Sequence, residues 1–390
     1  MNRKILSISL SLWLASVSCM QSVFAAVVSD GTNASGETYT ASAEDESAVD
    51  VSGNAVVTIQ NATIDKNDGN ASSVDDSSFR GVNSAVRAYD QADLTISDSV
   101  ITAAASNATG VFAYDEAVIH ISDCAIDVTG GGAGGVQVAG GGTLYGKNLT
   151  VTSASKAAIR SDRGGGVMVL DGGTYTSTGK NGCPSIYSTA DITVKNASCS
   201  SAQSRAVIIE GKNTVTLENV VIDGNDQSTK EGSVKANVLL YQSASGDASE
   251  GTSVFSMTGG EMTCKSGAMF YCTNTDSIIN LENAALNLSP DDSLLIVSEG
   301  RWGKDGKNGG SCVLNAASQT LTGSVYVDEI SSLEMNLTGS SFTGSITGEG
   351  AVTVTLDEGS TWTLTGDSSI DELIGDMDQI DLNGYELNIG

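Results

Sequence analysis

Two copies of a short aromatic and acidic motif are the residues of this sequence best placed to bind a ligand. The sequences AVRAYD and GVFAYD, which end at Asp90 and Asp115, recur 25 residues apart in the same register. If each copy belongs to one turn of a repeat, Tyr89 and Tyr114 project from the same face about 4.8 Å apart. A ring face beside carboxylates suits a sugar, and two carboxylates also offer oxygen ligands to Ca²⁺. These four residues are the predicted ligand site; the alternative is an aromatic pair that only stabilises strands, next to aspartates that only form bends.

Residues that could carry catalysis are sparse. The single histidine, His120, lies between two apolar residues of an alternating pattern, and no nucleophile or metal-ligand motif accompanies it. We therefore predict a surface histidine. A lyase would need a basic residue beside bound Ca²⁺, and Arg160, Arg163 and Lys180 stay open as candidates for it.

Two acidic motifs raise the alternative of a polysaccharide hydrolase. Asn274-Thr275-Asp276 and Asp291-Asp292 resemble the acidic motifs of polygalacturonase-like enzymes, whose paired carboxylates act as general acid and base. Those enzymes also carry a Gly-His-Gly and an Arg-Ile-Lys sequence. No histidine follows His120, and Arg301-Trp302-Gly303-Lys304 matches the second sequence poorly. We expect a protein without catalytic activity, and keep a polysaccharide-active enzyme as the alternative.

An internal repeat supplies the elements that position these residues. Apolar residues recur at the first, third and eighth positions of a pattern whose successive copies between Leu94 and Val215 are 23 to 25 residues apart. Copies of this pattern begin at Val57, Leu94, Ile119, Leu144, Met168, Ile192, Val215, Phe255, Ile279, Met335 and Val354, and Cys312-Val313-Leu314 belongs to a degenerate copy. Alternation with a period of two predicts strands that bury one face. The eighth position is the third apolar column, running from Ile64 to Phe342 and Thr361.

The fifth position of each copy is almost always Asn, Asp or Gly, the residue types that accept the left-handed conformation of a sharp bend. A unit of about 24 residues built as strand, bend and strand is typical of a β-solenoid. We predict an all-β fold: a right-handed, single-stranded parallel β-helix of about 12 coils. Its predicted parts are a signal peptide over residues 1–25, an N-terminal cap over 26–50, the β-helix over 51–370 and a C-terminal cap over 371–390.

The N-terminus and the charge bear on location and partners. Arg3 and Lys4, a short apolar stretch and Val23-Phe24-Ala25 form an export signal, so we expect an extracellular or cell-surface protein. The chain has 47 acidic and 19 basic residues, a formal charge of −28. This charge repels nucleic-acid phosphates, and the apolar stretch is too short for an integral membrane span. We expect a monomer.

Six cysteines follow the export signal: Cys124, Cys183, Cys199, Cys264, Cys272 and Cys312. An even number in an exported protein permits disulfides. Cys199, however, falls in an inward column three coils from Cys124, about 14 Å away, which is too far for a bond between them. We expect most of these cysteines to be small buried apolar residues.

The C-terminal part resembles a known family. Leu356-Asp357, Gly359-Ser360-Thr361-Trp362, residues 364–368 (LTGDS) and residues 382–387 (LNGYEL) are similar to the end of the passenger region of autotransporter-type adhesins. That family continues into a membrane barrel, and no such strands follow here, so we expect a related stand-alone secreted protein or a piece of a longer one. The resemblance implies an adhesin-like recognition or scaffold role, toward a host or microbial surface glycan or protein. A purely structural stalk is a further alternative.

Overall fold

The computed structural model describes residues 22–24, 26–180, 183–229, 232–289 and 292–390. Most of the predicted signal peptide lies outside these residues. Ser22–Phe24 forms a strand that pairs with the strand Thr38–Ala41.

The chain forms a parallel β-helix, as the repeat predicted. Strands make up 53% of the residues and helices 3%. Each coil contributes one strand to a thirteen-stranded parallel sheet, here sheet I, so the stack is about 58 Å long. The strands of sheet I are Ala26–Val27, Val49–Val51, Val86–Ala88, Val111–Tyr114, Val136–Ala139, Ile159–Ser161, Ile186–Ser188, Val207–Glu210, Ala236–Tyr241, Ala268–Thr273, Ser293–Val297, Ser324–Val327 and Ile346–Gly348.

After sheet I the chain turns into a second sheet of twenty-three strands, sheet II, which contains the repeat pattern. Its strands before the bend are Asn33–Ser35, Val56–Gln60, Asp93–Ser97, Val118–Ser122, Asp191–Lys195, Thr214–Glu218, Ser253–Thr258, Asp276–Glu282, Ser311–Ala317, Ser332–Thr338, Ala351–Leu356 and Glu372–Ile374. Those after it are Ser22–Phe24, Thr38–Ala41, Thr63–Lys66, Val100–Ala103, Ala125–Val128, Ser198–Gln203, Val221–Gly224, Glu261–Cys264 and Ala285–Asn287. Two long strands, Gly142–Ser153 and Gly166–Lys180, run through the bend.

Small elements complete the described chain. In the last coils the strands after the bend form a separate four-stranded sheet, and two short strands pair near residue 390. An α-helix and a 3₁₀ helix are also present, and within the described residues no helix has the length and apolarity needed to cross a membrane. The four-stranded sheet consists of Thr320–Thr322, Ser341–Thr343, Thr361–Thr363 and Ile380–Asp381. The two paired strands are Ser368–Ile370 and Leu387–Ile389. The α-helix is Val74–Arg80 and the 3₁₀ helix is Met377–Gln379.

The predicted inward columns form the core. Ile96, Ile121 and Gly146 pair in register in successive coils, and all three are buried. Each fully buried branched side chain of such a column contributes roughly 1.5–3 kcal/mol relative to exposure. The bend residues are left-handed as expected, with φ between 50° and 54° for Asn61, Asp98, Asp123, Asn148, Asn196, Asn219 and Asn283. The degenerate copy is also present, because Leu314 pairs with Ile279 and Met335.

The third column departs from the prediction in the last coils. Thr361 was predicted to point inward but is exposed, and Trp362 takes its place, paired with Phe342. The bend from Leu356 to Trp362 contains one residue more than the bend from Leu337 to Phe342, so the register moves by one. Indole Nε1 donates to the Gly344 carbonyl at 3.0 Å, which satisfies the polar atom of this buried ring.

One inward position holds a charge. Lys66 has no exposed surface and lies in register with Ala41 and Ala103. Its Nζ donates to the carbonyl of Ala43 at 2.6 Å. Burial lowers the pKa of Lys66, while the nearby Glu46 opposes that shift.

The polar insertion at about residues 65–81 is predicted from its sequence to leave the rod as a loop, but it folds back on the outer face of sheet I. The helix Val74–Arg80 lies within it, begins at the N-cap Ser73 and ends at Gly81, whose φ is 69°. Its Ser78 carbonyl accepts from Nε2 of Gln137 at 2.8 Å. A Cβ on Gly81 would lie 2.5 Å from the ring of Phe112, so only glycine permits this close packing.

Candidate functional site

The middle of the outer face of sheet I is the part of the described rod that most resembles a binding site. Every residue of the strands Ala236–Tyr241 and Ala268–Thr273 is buried, so these strands bury both faces. Outward side chains of these two strands and of the neighbouring strand Val207–Glu210 form a second apolar cluster, separate from the core inside the rod. Its members are Ile208, Ala236, Leu239, Tyr241, Ala268 and Tyr271, with Tyr187, Val234, Ile296 and Trp302 packed against them.

A cavity of about 140 Å³ opens into this cluster. We call it the aromatic pocket, and its defining residues are Tyr187, Arg205, Tyr241, Tyr271 and Trp302. The three tyrosines come from three strands of sheet I, whereas Trp302 comes from the loop that follows the strand Ser293–Val297. The pocket therefore combines a rigid floor with a wall carried by a loop.

Hydrogen bonds fix the loop that supplies Trp302. Asn308 donates from Nδ2 to the carbonyls of Gly300 and Trp302, at 2.6 and 2.9 Å. The hydroxyl of Tyr271 donates to the Glu299 carbonyl at 3.0 Å. These bonds set the Trp302 ring 5.6 Å from the ring of Tyr241, tilted by 40°.

Arg301 precedes this tryptophan and covers it from the solvent side. Its guanidinium carbon lies 4.2 Å from the centre of the Trp302 ring, within cation–π range. Arg301 is exposed, whereas Trp302 is half-buried.

The second wall is a loop held by a buried ion pair. Nη2 of Arg205 lies 3.1 Å from Oδ2 of Asp226, and these side chains are only 11% and 3% exposed. The same Nη2 donates to the Val234 carbonyl at 2.6 Å, and Oδ1 of Asp226 accepts from the backbone N–H of Ser228 at 2.8 Å. Burial lowers the pKa of Arg205, and the negative charge of Asp226 opposes this shift. The guanidinium stays charged at physiological pH.

Glu210 orients the phenols of the pocket. Its buried carboxylate accepts hydrogen bonds from the hydroxyls of Tyr187, Tyr241 and Ser243, the second of them at 2.8 Å. Burial raises the pKa of both phenols far above 10, and the negative charge of Glu210 adds to this shift. Both hydroxyls therefore stay protonated at any physiological pH, and a shared acceptor fixes the position of the two phenols.

The predicted ligand residues lie elsewhere on the rod. Tyr89 is half-buried with the guanidinium of Arg87 3.9 Å from its ring centre, and Tyr114 lies so close to Gly140 that a Cβ there would be 2.5 Å from Cε2. Among the described residues no stacked ring pair joins Tyr89 to Tyr114. Asp90 and Asp115 are exposed bend residues with φ of 54° and 53°.

The calcium prediction rests on these two aspartates alone. In the part of the chain that the structure describes, no group of three or more His, Cys, Asp and Glu side chains is arranged to hold a metal ion. The ligand site at Tyr89, Asp90, Tyr114 and Asp115 stays a prediction.

The other sequence candidates are placed as follows. His120 is exposed, as predicted, and stacks on Tyr145 with ring centres 5.2 Å apart. Arg160 forms an ion pair with Asp162, and Arg163 forms one with Asp247. The side chain of Lys180 lies outside the described part.

The hydrolase-like motifs do not converge on the aromatic pocket. Asn274 is a bend residue with φ of 51°, and its Nδ2 donates to the Gln242 carbonyl at 2.8 Å. Asp276 begins a strand of sheet II, whereas Asp292 precedes a strand of sheet I. Asp291 lies outside the described residues. Arg301 and Trp302 line the pocket. The sequence had drawn attention to them only as a poor match to the Arg-Ile-Lys sequence of polygalacturonase-like enzymes.

Comparison with protein-family models, with curated proteins and with solved structures found no match for this chain. The site therefore has to be interpreted from its own chemistry.

Proposed function

We propose that this protein is an exported, adhesin-like recognition β-helix that binds one sugar residue of a surface glycan in the aromatic pocket and does not convert it chemically. The observation that carries the proposal is the pocket itself, in which three tyrosines and a tryptophan surround one cavity. The export signal and the resemblance to autotransporter passengers support the extracellular location.

The size and lining of the pocket favour a single sugar ring. A volume of about 140 Å³ is below the ~300–1,000 Å³ of pockets that enclose drug-sized ligands. The C–H faces of a sugar pack on aromatic rings, while its hydroxyls bond to polar groups at the rim. Arg205, Asp226 and Ser228 supply such groups here. A protein partner would instead favour a broad, flatter contact area.

Trp302→Ala will abolish most of the glycan binding. The substitution removes the loop-borne wall of the pocket, and truncation of a central aromatic anchor typically costs at least about 2 kcal/mol, a weakening of roughly thirtyfold. The measurement is a glycan-array screen with the parent protein, followed by calorimetric titration of the best ligand into parent and variant.

Two further variants make this test specific. Tyr145→Ala removes an exposed ring from sheet II, far from the pocket, and should leave the affinity unchanged. The double variant Tyr89→Ser/Tyr114→Ser removes the aromatic pair predicted from the sequence. If the double variant loses binding and Trp302→Ala keeps it, the ligand site lies at the sequence-predicted residues and the aromatic pocket is the wrong assignment.

A polysaccharide-active enzyme is the second candidate, because two carboxylates lie beside the pocket. Hydrolysis by general acid and base needs two carboxyl groups that face the scissile bond. Here Asp226 is paired with Arg205, and Glu210 accepts from four hydroxyls, so both carboxylates are already engaged by the protein. This arrangement favours binding over catalysis.

We expect purified protein to release no reducing ends and no unsaturated products from pectin, pectate or alginate, with or without Ca²⁺. The positive control is a commercial lyase in the same buffers. Product above the buffer background that disappears in a Glu210→Gln or Asp226→Asn variant would establish the enzyme and overturn the recognition proposal.

A further inference from the structure

Two cysteine side chains meet inside the rod next to the aromatic pocket. The sulfur atoms of Cys272 and Cys312 are 3.7 Å apart, and both residues are buried. Cys272 lies in the sheet I strand Ala268–Thr273 of one coil, and Cys312 lies in the sheet II strand Ser311–Ala317 of the next. The chain two residues before Cys312 also lies close to Cys272, since a Cβ on Gly310 would lie 2.8 Å from the Cys272 carbonyl oxygen.

The other buried cysteines have different neighbours. The thiols of Cys124, Cys183 and Cys264 donate to backbone carbonyls, at 3.1, 2.7 and 3.2 Å for their closest acceptors. In the described part of the chain only Cys272 and Cys312 form a thiol–thiol contact. All six cysteines are reduced in this structure.

We propose that Cys272 and Cys312 are a disulfide-forming pair that cross-links consecutive coils of the β-helix. A rotation about the Cα–Cβ bonds has to shorten the sulfur–sulfur distance from 3.7 Å to about 2.05 Å. In the reaction both thiols lose their protons and one sulfur–sulfur bond forms. The two electrons pass to a small-molecule disulfide such as oxidised glutathione, whose own bond breaks to give two thiols that take up the protons.

The position of the pair gives the bond a structural consequence. The two cysteines are 40 positions apart, and the segment between them contains the loop that carries Trp302. Cys272 follows the pocket residue Tyr271 directly and pairs in register with Val297, the last strand residue before the loop. Cys312 is the second residue of the strand that the loop leads into. The bond therefore fixes both ends of this loop against the same coil boundary, and it stabilises the wall of the pocket whether or not the pocket binds a sugar.

Burial decides when the bond forms. The hydrogen bond with Cys272 and burial raise the pKa of the Cys312 thiol well above 9, so little thiolate exists in the folded, reduced protein. Oxidation of the folded chain is therefore slow, and the bond forms mainly while the chain folds in an oxidising compartment, which matches the predicted export.

The test is to refold the reduced, denatured chain in a glutathione redox buffer and, in parallel, under excess reductant. Peptide mapping by mass spectrometry without reduction should show one predominant linked pair, joining the peptides that contain Cys272 and Cys312. The oxidised protein should melt several degrees higher than the reduced protein, because the cross-link removes conformations from the unfolded chain. Limited proteolysis within residues 299–310 should also be slower in the oxidised form.

Cys264→Ser is the matched control, because Cys264 is buried nearby but bonds only to backbone. This variant should keep both the linked peptide and the oxidation-dependent shift in melting temperature, whereas Cys272→Ser should lose both. Free thiols at Cys272 and Cys312 after oxidative refolding to the native circular dichroism spectrum, or a predominant link between other cysteines, would overturn the proposal. The mapping uses the unmodified chain, so the result does not depend on whether a variant folds.

Discussion

Ile121→Asp will unfold the middle of the rod, with a loss of stability of roughly 4–5 kcal/mol or more. Ile121 is 2% exposed and lies between Ile96 and Gly146 in the inward column of sheet II. The small Gly146 leaves room that Leu149 and Leu170 fill, so the new carboxylate would face only apolar atoms. A charge buried without a partner costs far more than the lost isoleucine contacts alone.

The adjacent position supplies a control of matched chemistry. His120 belongs to the same strand but points outward, so His120→Asp places the same carboxylate one residue away in solvent. We expect its stability to stay within about 0.5 kcal/mol of the parent. Urea unfolding followed by far-ultraviolet circular dichroism compares the two, and hydrogen exchange shows which coils open. Equal midpoints for both variants would contradict the inward assignment of this column.

The architecture was predictable because one local rule repeats along the chain. Alternating apolar residues and a left-handed bend residue such as Asn196 or Asn219 specify the same coil in each copy. Because many copies share the pattern, an ambiguous copy can be assigned from its neighbours. The same regularity explains the error at Thr361. A fixed spacing does not detect the additional bend residue that brings Trp362 inward.

The aromatic pocket was missed because its residues do not share one local rule. Tyr187, Tyr241 and Tyr271 occupy outward positions of three coils, and Trp302 comes from a polar insertion between the strands Ser293–Val297 and Ser311–Ala317. One signal was present: the strands at 236–241 and 268–273 are nearly continuous apolar runs instead of alternating ones. Such runs indicate strands that are buried on both faces, and therefore that something covers sheet I. Which loop covers it depends on contacts between residues far apart in sequence.

Arg205→Met is the second substitution with a large expected effect, about 3 kcal/mol or more. It removes the cation that neutralises Asp226, whose side chain is 3% exposed, and it breaks the bond to the Val234 carbonyl that holds the wall of the pocket. The loop held by this ion pair is an insertion between strands. We therefore expect the loss of stability to appear first as faster hydrogen exchange in residues 232–241 and as weaker glycan binding. The coils far from the pocket should keep the parent's protection.

The double variant Arg205→Met/Asp226→Leu separates charge from packing. Breaking a buried ion pair by removing one partner is costly because an uncompensated charge stays buried, whereas replacing both partners with apolar groups is often nearly neutral. We therefore expect the double variant to regain most of the stability that Arg205→Met loses, while glycan binding stays weak because the polar rim of the pocket is gone. If the double variant were as unstable as Arg205→Met, the stability would depend on the shape of the two side chains and on the hydrogen bond to the Val234 carbonyl. The electrostatic explanation of this loop's stability would then be wrong. If it regained binding as well, Arg205 and Asp226 would be structural supports only, and the sugar hydroxyls would have to find their partners among the phenols and the backbone of the loops.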